Sequence, residues 1–199
     1  MAAEIGSDVP LFLLGGAVVG VGRGEEVYPL PDIASLPCVI ALPATGVSTP
    51  QAFRDWDSLT ATHPSATIGE LSRSIAVAFG EPHSSGVFSE VVSPREDRAE
   101  DPLLALVRTG IENDFEKVVF PQYPLLGNIK RILAVPDPEA PEQSAVYAAL
   151  SGSGSAVFGL YATTEAAKAA QQRLAKMGIT AHRTRTLPRT EYWRDMLLQ

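Results

Sequence analysis

The C-terminal third of the chain contains the pattern that most constrains the fold. Two strand-length runs, 145–150 and 156–161, flank a short loop of alternating serines and glycines. Residues 165–177 then show a helical pattern between a threonine and a glycine, and residues 179–186 form a last strand-like run. This order predicts an antiparallel sheet covered by helices on one face, which is an α+β architecture.

Shorter patterns upstream predict the remaining elements. Residues 17–22 and 25–30 indicate two strands of a hairpin, because glycines between them tolerate positive φ angles. Residues 38–42 are a continuous apolar run typical of a buried strand, and Thr49 is the predicted cap of a helix. Further helices are predicted at 67–79, 103–114 and 123–133, and polar loops at 81–100 and 136–141.

Composition excludes several classes of protein. The 16 Lys plus Arg against 23 Asp plus Glu give a formal charge of −7, which argues against a nucleic-acid partner. Cys38 is the single cysteine, so no internal disulfide forms, and the histidines lack ligand spacing, so no protein metal site is predicted. The longest apolar run, 9–22, is shorter than the ~20 residues of a membrane span. We therefore expect a soluble cytoplasmic protein without a membrane partner.

Both ends of the chain lead to further expectations. Residues 1–5 resemble the last turn of a helix ended by Gly6, and a helix this short cannot hold itself together. We expect that sequence preceding Met1 is missing, with a frayed N-terminus as the alternative. Near the other end, four arginines are predicted to form an exposed basic strand and tail: Arg183, Arg185, Arg189 and Arg194.

The serine–glycine loop is the first candidate for a ligand contact. Small residues let backbone N–H groups approach a phosphate, and hydroxyls add donors. No lysine follows the loop, so it is not a Walker-type loop, and the alternative is a flexible hairpin loop without a ligand. The candidate residues are Ser151, Gly152, Ser153, Gly154 and Ser155.

Three residues at predicted helix starts are further candidates. Asp8 either caps a short helix or, held in that position, acts as a general base. Thr49 and Phe53 are four residues apart and so share one helical face. They are either an N-cap with a core aromatic, or a hydroxyl donor beside a ring that stacks on a planar ligand.

Five segments taken together resemble a known family. In chain order they are Gly-Ser-Asp-Val-Pro-Leu-Phe at 6–12, Gly-Val-Gly-Arg-Gly-Glu at 20–25, Gly-Val-Ser-Thr-Pro-Gln-Ala-Phe at 46–53, Asn-Asp-Phe-Glu at 113–116, and Leu-Ser-Gly-Ser-Gly-Ser-Ala-Val-Phe at 150–158. Over nearly the whole chain, this combination resembles the 4-diphosphocytidyl-2-C-methyl-D-erythritol kinases of the GHMP kinase superfamily.

The resemblance implies an activity and residue roles. It implies that ATP, with Mg²⁺, phosphorylates the C2 hydroxyl of a small cytidine-diphosphate-linked methylerythritol on the non-mevalonate route to isoprenoid precursors. It further implies that Asp8 is the general base and that Thr49 and Phe53 contribute to the cytidine pocket, with the phenylalanine stacking on the base. Residues 151–155 match a superfamily loop that lines the active site near the phosphates.

The chain also departs from the family pattern. The lysine that partners the catalytic aspartate, a second aromatic beside the cytosine and the Gly-Leu-Gly-Gly-Gly-Ser-Ser loop for ATP are not among these 199 residues. We therefore expect residues 1–32 to be a remnant of an N-terminal nucleotide-binding domain, 33–188 the C-terminal substrate domain and 189–199 a tail. This chain alone is expected to show little or no kinase activity, and the alternative function is a non-catalytic ligand-binding or interaction module derived from such a kinase.

Overall fold

The structure is a computed structural model, and it describes residues 1–32, 34–62, 107, 112–134 and 143–197. The helix predicted at 67–79, most of the one predicted at 103–114, and the loops predicted at 81–100 and 136–141 lie outside the described residues. The strands are β1 (Val18–Val21), β2 (Glu26–Pro29), β3 (Pro37–Ala41), β4 (Ala145–Leu150), β5 (Val157–Tyr161) and β6 (Ala181–Arg185). The helices are α1 (Ala2–Ile5), α2 (Val9–Leu14), α3 (Thr49–Thr62), α4 (Glu116–Gln122), α5 (Pro124–Ala134), α6 (Thr164–Lys176) and α7 (Arg189–Leu197).

The larger sheet has four strands in the order β4-β5-β3-β6, and every neighbouring pair is antiparallel. The strand predicted at 38–42 is β3, which lies in the interior of the sheet. Its Val39 and Ala41 have no exposed surface. An apolar strand with partners on both sides satisfies its backbone groups without water, so the continuous apolar run belongs in this position.

Helices α5 and α6 bury their apolar faces against this sheet. Leu126, Ile129 and Leu133 of α5 are fully buried, and their spacing places them on one helical face. In α6 the buried positions are mainly small, namely Ala166, Ala167, Ala170 and Leu174. Alanines allow a helix to approach the strands closely. The predicted α+β architecture, an antiparallel sheet with helices, is confirmed.

The predicted ends of α6 are also confirmed. The hydroxyl of Thr163 accepts a hydrogen bond from the backbone N–H of Ala166 at 3.1 Å, as expected of an N-cap. Gly178 follows the helix with a φ of +70°, in the left-handed region that glycine adopts without steric cost.

A smaller unit precedes the main sheet. Strands β1 and β2 form the predicted hairpin, with Val18 opposite Pro29 and Val21 opposite Glu26. The short helix α1 is present as expected, although Gly6 after it has an extended φ of 176° and not a left-handed one. Helix α2 leads into the hairpin.

The last helix holds this unit through one arginine. The guanidinium of Arg189 donates to the carbonyls of Gly15, Ala17 and Leu30 at 3.1, 2.7 and 3.3 Å. The carboxylate of Asp32 accepts from the backbone N–H groups of Ala17 and Arg189, at 3.0 and 2.6 Å. The guanidinium of Arg189 thus holds backbone carbonyls that precede β1 and follow β2.

Two aromatic side chains of α7 reinforce the contact. The Tyr192 hydroxyl donates to the carbonyl of Phe12 at 2.6 Å, and the Trp193 indole N–H donates to the carbonyl of Leu14 at 3.0 Å. We call the contact of α7 with residues 12–32 the terminal clasp. The expectation that Arg189 lies in an exposed basic tail was wrong, because three carbonyls and a carboxylate in the N-terminal unit supply its partners. The division into domains at 32 and 188 stays a prediction.

Two glycines test the terminal clasp. Both have positive φ angles, +65° at Gly15 and +70° at Gly178. At Gly15 the ψ angle is 172°, a region essentially restricted to glycine, so alanine there costs about 1–3 kcal/mol before any contact is counted. A Cβ at Gly15 would also overlap the Tyr192 ring, whereas a Cβ at Gly178 meets nothing within 4 Å. We expect Gly15→Ala to reduce the free energy of unfolding in urea by more than Gly178→Ala, and to change Trp fluorescence because Trp193 moves. Unchanged Trp fluorescence in Gly15→Ala would contradict the clasp, because backbone strain at Gly15 alone does not move Trp193.

Candidate functional site

A hydrogen bond joins two of the predicted site segments. The hydroxyls of Thr49 and Ser153 are 2.7 Å apart, although 104 positions separate the two residues in sequence. Thr49 was predicted as an N-cap, but α3 begins at Thr49 itself and the carbonyl of Ser48 accepts the first helical bond, from Ala52. The Thr49 hydroxyl therefore contacts the serine–glycine loop from the first turn of α3.

The serine–glycine loop is a tight connection between β4 and β5. The N–H of Ser151 donates to the carbonyl of Ala156 at 2.8 Å, and the N–H of Gly154 donates to the carbonyl of Ser151 at 2.9 Å. Gly152 and Gly154 have φ angles of +55° and +97°, which only glycine adopts at low cost. The predicted loop is confirmed, and its closing hydrogen bonds define one conformation.

Several donors of this loop have no partner within the part of the chain that the structure describes. No carbonyl there accepts from the N–H groups of Gly152, Ser153 or Ser155. Unpaired backbone N–H groups next to glycines are suited to contact an anion, since no side chain blocks their approach. These N–H groups are therefore suited to a phosphate contact, because they are not bonded within the turn itself.

Phe53 is on the surface of α3 and not in the core. Its exposed fraction is 53%, whereas the neighbouring Ala52 is buried at 3%. The ring contacts Phe115 edge-on, with centroids 4.9 Å apart and an angle of 80° between the planes. Of the two sequence interpretations, the core aromatic is thus wrong. An exposed ring held by an edge contact leaves its remaining surface available for stacking.

Residues 113–116, to which the sequence alone assigns no role, support the serine–glycine loop through hydrogen bonds. The Asn113 amide donates to the carbonyls of Leu150 and Gly152, at 2.9 and 2.7 Å. The Glu116 carboxylate accepts from the N–H of Leu150 at 2.9 Å and pairs with Lys130 at 2.5 Å. The sequence alone predicts no such role for Asn113 and Glu116, because nothing in a linear sequence indicates that segments 113–116 and 150–152 meet.

Asp8 is not brought into contact with the other candidates. It lies exposed at the N-cap position of α2, where its side chain makes no capping hydrogen bond. Across the described ranges, no hydrogen bond or ion pair joins its carboxylate to Thr49, Phe53 or the loop. The cap interpretation is therefore not supported, and the general-base role stays a prediction.

Other candidate chemistry is limited in the described residues. Burial raises the pKa of the Cys38 thiol to about 11, so this cysteine stays a neutral, unreactive thiol at neutral pH. In these same ranges, no three His, Cys, Asp or Glu side chains come together in a way that would hold a metal ion. None of the described helices has both the length and the apolar character needed to cross a membrane.

A known domain family matches the part of the chain that contains the loop. Residues 99–180 match the family described as GHMP kinases C terminal, and this range includes Asn113, Glu116 and the serine–glycine loop. This chain contains a GHMP kinase C-terminal domain. Thr49 and Phe53 precede the matched range, and their roles stay predictions.

Curated relatives extend the similarity over most of the chain. One from Solibacter usitatus, named 4-diphosphocytidyl-2-C-methyl-D-erythritol kinase, is 37% identical over 158 residues, or 79% of this chain and 41% of the relative. One of the same name from Moorella thermoacetica is 33% identical over 194 residues, or 93% of this chain and 55% of the relative. The chain spans about half the length of the curated relatives it matches.

Solved structures support the GHMP-kinase-like fold. A crystal structure of 4-(cytidine 5'-diphospho)-2C-methyl-D-erythritol kinase superimposes with a TM-score of 0.58 at 23% identity, over 92% of this chain and 54% of the other. A homoserine kinase from Cytophaga hutchinsonii has the same TM-score at 17% identity, over 90% of this chain and 50% of the other. At these identities the structures show a shared fold.

A double-mutant cycle measures the contact between Thr49 and Ser153. We expect Thr49→Val and Ser153→Ala to couple by about 0.5–1.5 kcal/mol in urea unfolding, the range of a net hydrogen bond. Ser155 belongs to the same loop but makes no hydrogen bond to Thr49, so Thr49→Val with Ser155→Ala should be additive. Additive behaviour in both cycles would show that the hydroxyl contact contributes nothing to stability.

Proposed function

We propose that this chain is the substrate-side part of a 4-diphosphocytidyl-2-C-methyl-D-erythritol kinase. The reaction is the ATP-dependent phosphorylation of the C2 hydroxyl of 4-diphosphocytidyl-2-C-methyl-D-erythritol, in non-mevalonate isoprenoid precursor biosynthesis. One observation carries the proposal: the segments that resemble the family's cytidine and phosphate motifs, far apart in sequence, meet at the hydrogen bond between Thr49 and Ser153. The names and identities of the curated relatives support the same activity.

The residues around this hydrogen bond provide two kinds of recognition. We assign the exposed ring of Phe53 to stacking on the cytosine base and the Thr49 hydroxyl to the edge of the same pocket. The N–H groups of Gly152 and Ser153, which have no partner among the described residues, and the hydroxyls of Ser151 and Ser155 are assigned to the phosphates of the substrate. Base and phosphate groups of one nucleotide would then contact adjacent parts of the surface.

Asp8 is assigned to the reacting hydroxyl. An exposed carboxylate without a capping bond is free to accept the proton of the C2 hydroxyl during phosphoryl transfer. When bound, ATP would supply the phosphoryl group and Mg²⁺ would offset the negative charge of its phosphates. The N–H groups of the serine–glycine loop suit a phosphate. Among the described residues, however, that loop contains no cationic side chain, and no cluster of carboxylates is present to hold the metal. We further propose that these 199 residues alone show little or no turnover.

The remaining assignments follow from the same proposal. The protein acts on a small-molecule nucleotide substrate in the cytoplasm, without a nucleic-acid or membrane partner. Its formal charge of −7 means that anionic ligands must be attracted by local donors and not by the overall field.

Phe53 gives the direct test of the cytidine pocket. We expect Phe53→Ala to weaken binding of cytidine 5'-diphosphate, measured by calorimetry, by about 1–3 kcal/mol, the scale of stacking between a base and an aromatic ring. Phe53→Tyr keeps the ring and should bind nearly as well. Tyr28→Ala removes an equally exposed aromatic from β2 and should leave the affinity unchanged. An affinity that does not respond to Phe53→Ala would contradict the stacking role.

Asp8 is tested by catalysis in a protein of the relatives' length that includes this chain. Asp8→Ala should lower kcat by about 10²-fold or more, because the proton of the hydroxyl then has no acceptor. Asp195→Ala removes an exposed carboxylate from α7 and should leave kcat unchanged. A near wild-type kcat for Asp8→Ala would remove Asp8 from the mechanism.

A further inference from the structure

Asn113 is held in one orientation by three backbone groups. Its Nδ2 donates to the carbonyls of Leu150 and Gly152, and its Oδ1 accepts from the N–H of Phe115 at 3.0 Å. A carbonyl only accepts and an N–H only donates, so exchanging Oδ1 and Nδ2 would break all three bonds. Both N–H donors of the amide are therefore used, and its orientation is fixed.

Leu150, at the entrance of the serine–glycine loop, is fixed at both of its backbone polar groups. Its carbonyl accepts from Asn113, and its N–H donates to the carboxylate of Glu116. Lys130 pairs with the other oxygen of that carboxylate, and the side chains of Lys130 and Glu116 are 31% and 12% exposed. The backbone at the start of the loop is thus set by two residues of one short segment.

Engaging the two carbonyls has a consequence for the loop. Carbonyl oxygens repel an anion, and those of Leu150 and Gly152 are occupied by Asn113. The N–H groups of Gly152 and Ser153 keep no partner among the described residues. The carbonyls of Leu150 and Gly152 are thus engaged while the N–H groups of Gly152 and Ser153 are not, which favours a phosphate at these N–H groups.

The same segment also supports the aromatic part of the site. The Oδ1 of Asn113 holds the N–H of Phe115, and the Phe115 ring contacts Phe53 edge-on at 4.9 Å. The Asn113 side chain therefore contacts the loop through Nδ2. Through Oδ1 it holds the backbone of Phe115, whose ring contacts Phe53.

We infer that Asn113 is a positioning residue that sets the serine–glycine loop relative to Phe53, so that the site selects a nucleoside diphosphate over the bare nucleoside. This inference rests on the proposed function, since it assigns the base to Phe53 and the phosphates to the loop. The separation between base and diphosphate is limited by the ligand's covalent structure, so both contacts form together only when loop and ring are correctly spaced.

Two substitutions separate the functions of the amide. Asn113→Asp keeps an acceptor for the N–H of Phe115 but replaces both donations to the loop with a carboxylate facing two carbonyls. Asn113→Ala removes all three bonds without adding charge. Asn128 on α5 is the second asparagine of the sequence, and Asn128→Asp makes the same charge change outside the site.

The experiment measures the affinities of the 199-residue chain for cytidine and for cytidine 5'-diphosphate by calorimetry. We expect wild type to prefer the diphosphate, and Asn113→Asp to weaken diphosphate binding by about tenfold while cytidine binding stays close to wild type. Asn113→Ala should weaken the binding of both ligands. This result would show that the loss of diphosphate binding in Asn113→Asp is not caused by charge repulsion alone. Asn128→Asp should match wild type.

A second measurement needs no variant and so does not depend on the folding of a substituted chain. In ¹⁵N-labelled wild type, the amide signals of Gly152 and Ser153 should shift on adding cytidine 5'-diphosphate but not on adding cytidine. Two results would overturn the positioning role but not the cytidine pocket: loop amide signals that do not shift on adding the diphosphate, or an equal loss of affinity for both ligands in Asn113→Asp. Failure of wild type to bind either ligand would overturn the proposed function and this inference together.

Discussion

The site depends on the register between β3 and β5. Ala41 at the end of β3 lies opposite Val157 at the start of β5, so the exit of β3 and the exit of the serine–glycine loop meet at the same end of the sheet. Residues 42–48 then lead to α3, and Val47 lies close enough to Gly154 that a Cβ there would sit 3.4 Å from its side chain. A slip of β3 by one residue would separate Thr49 from Ser153 and move Val39 and Ala41 to the opposite face of the sheet.

Local patterns were sufficient for most of the fold. The strands β3, β4 and β5, the hairpin and helices α5 and α6 follow from apolar periodicity and from caps such as Thr163, because each signal is encoded within a few residues. The same reasoning failed for Arg189, whose partners at Gly15 and Asp32 are distant in sequence. It also gave Thr49 a capping role, since a hydroxyl at a helix start has that role unless another group competes for it.

The candidate site shows the same limit. Glycines at 152 and 154 indicated a loop with unusual backbone angles, and the structure has these angles. The contribution of Asn113 and Glu116 was not predictable from the residues themselves, because an amide and a carboxylate acquire that role only through tertiary contacts with Leu150. Polar residues that pair with backbone groups far along the chain have no periodicity to reveal them.

The terminal clasp has a consequence for the order of folding. Asp32 and the N–H of Arg189 are 157 positions apart, so the N-terminal hairpin leaves the ribosome long before its partner helix is made. During that interval the carbonyls of Phe12 and Leu14 are without the Tyr192 and Trp193 side chains that later donate to them. The hairpin unit should therefore become ordered only after α7 has been synthesised, although its own residues leave the ribosome 157 positions earlier.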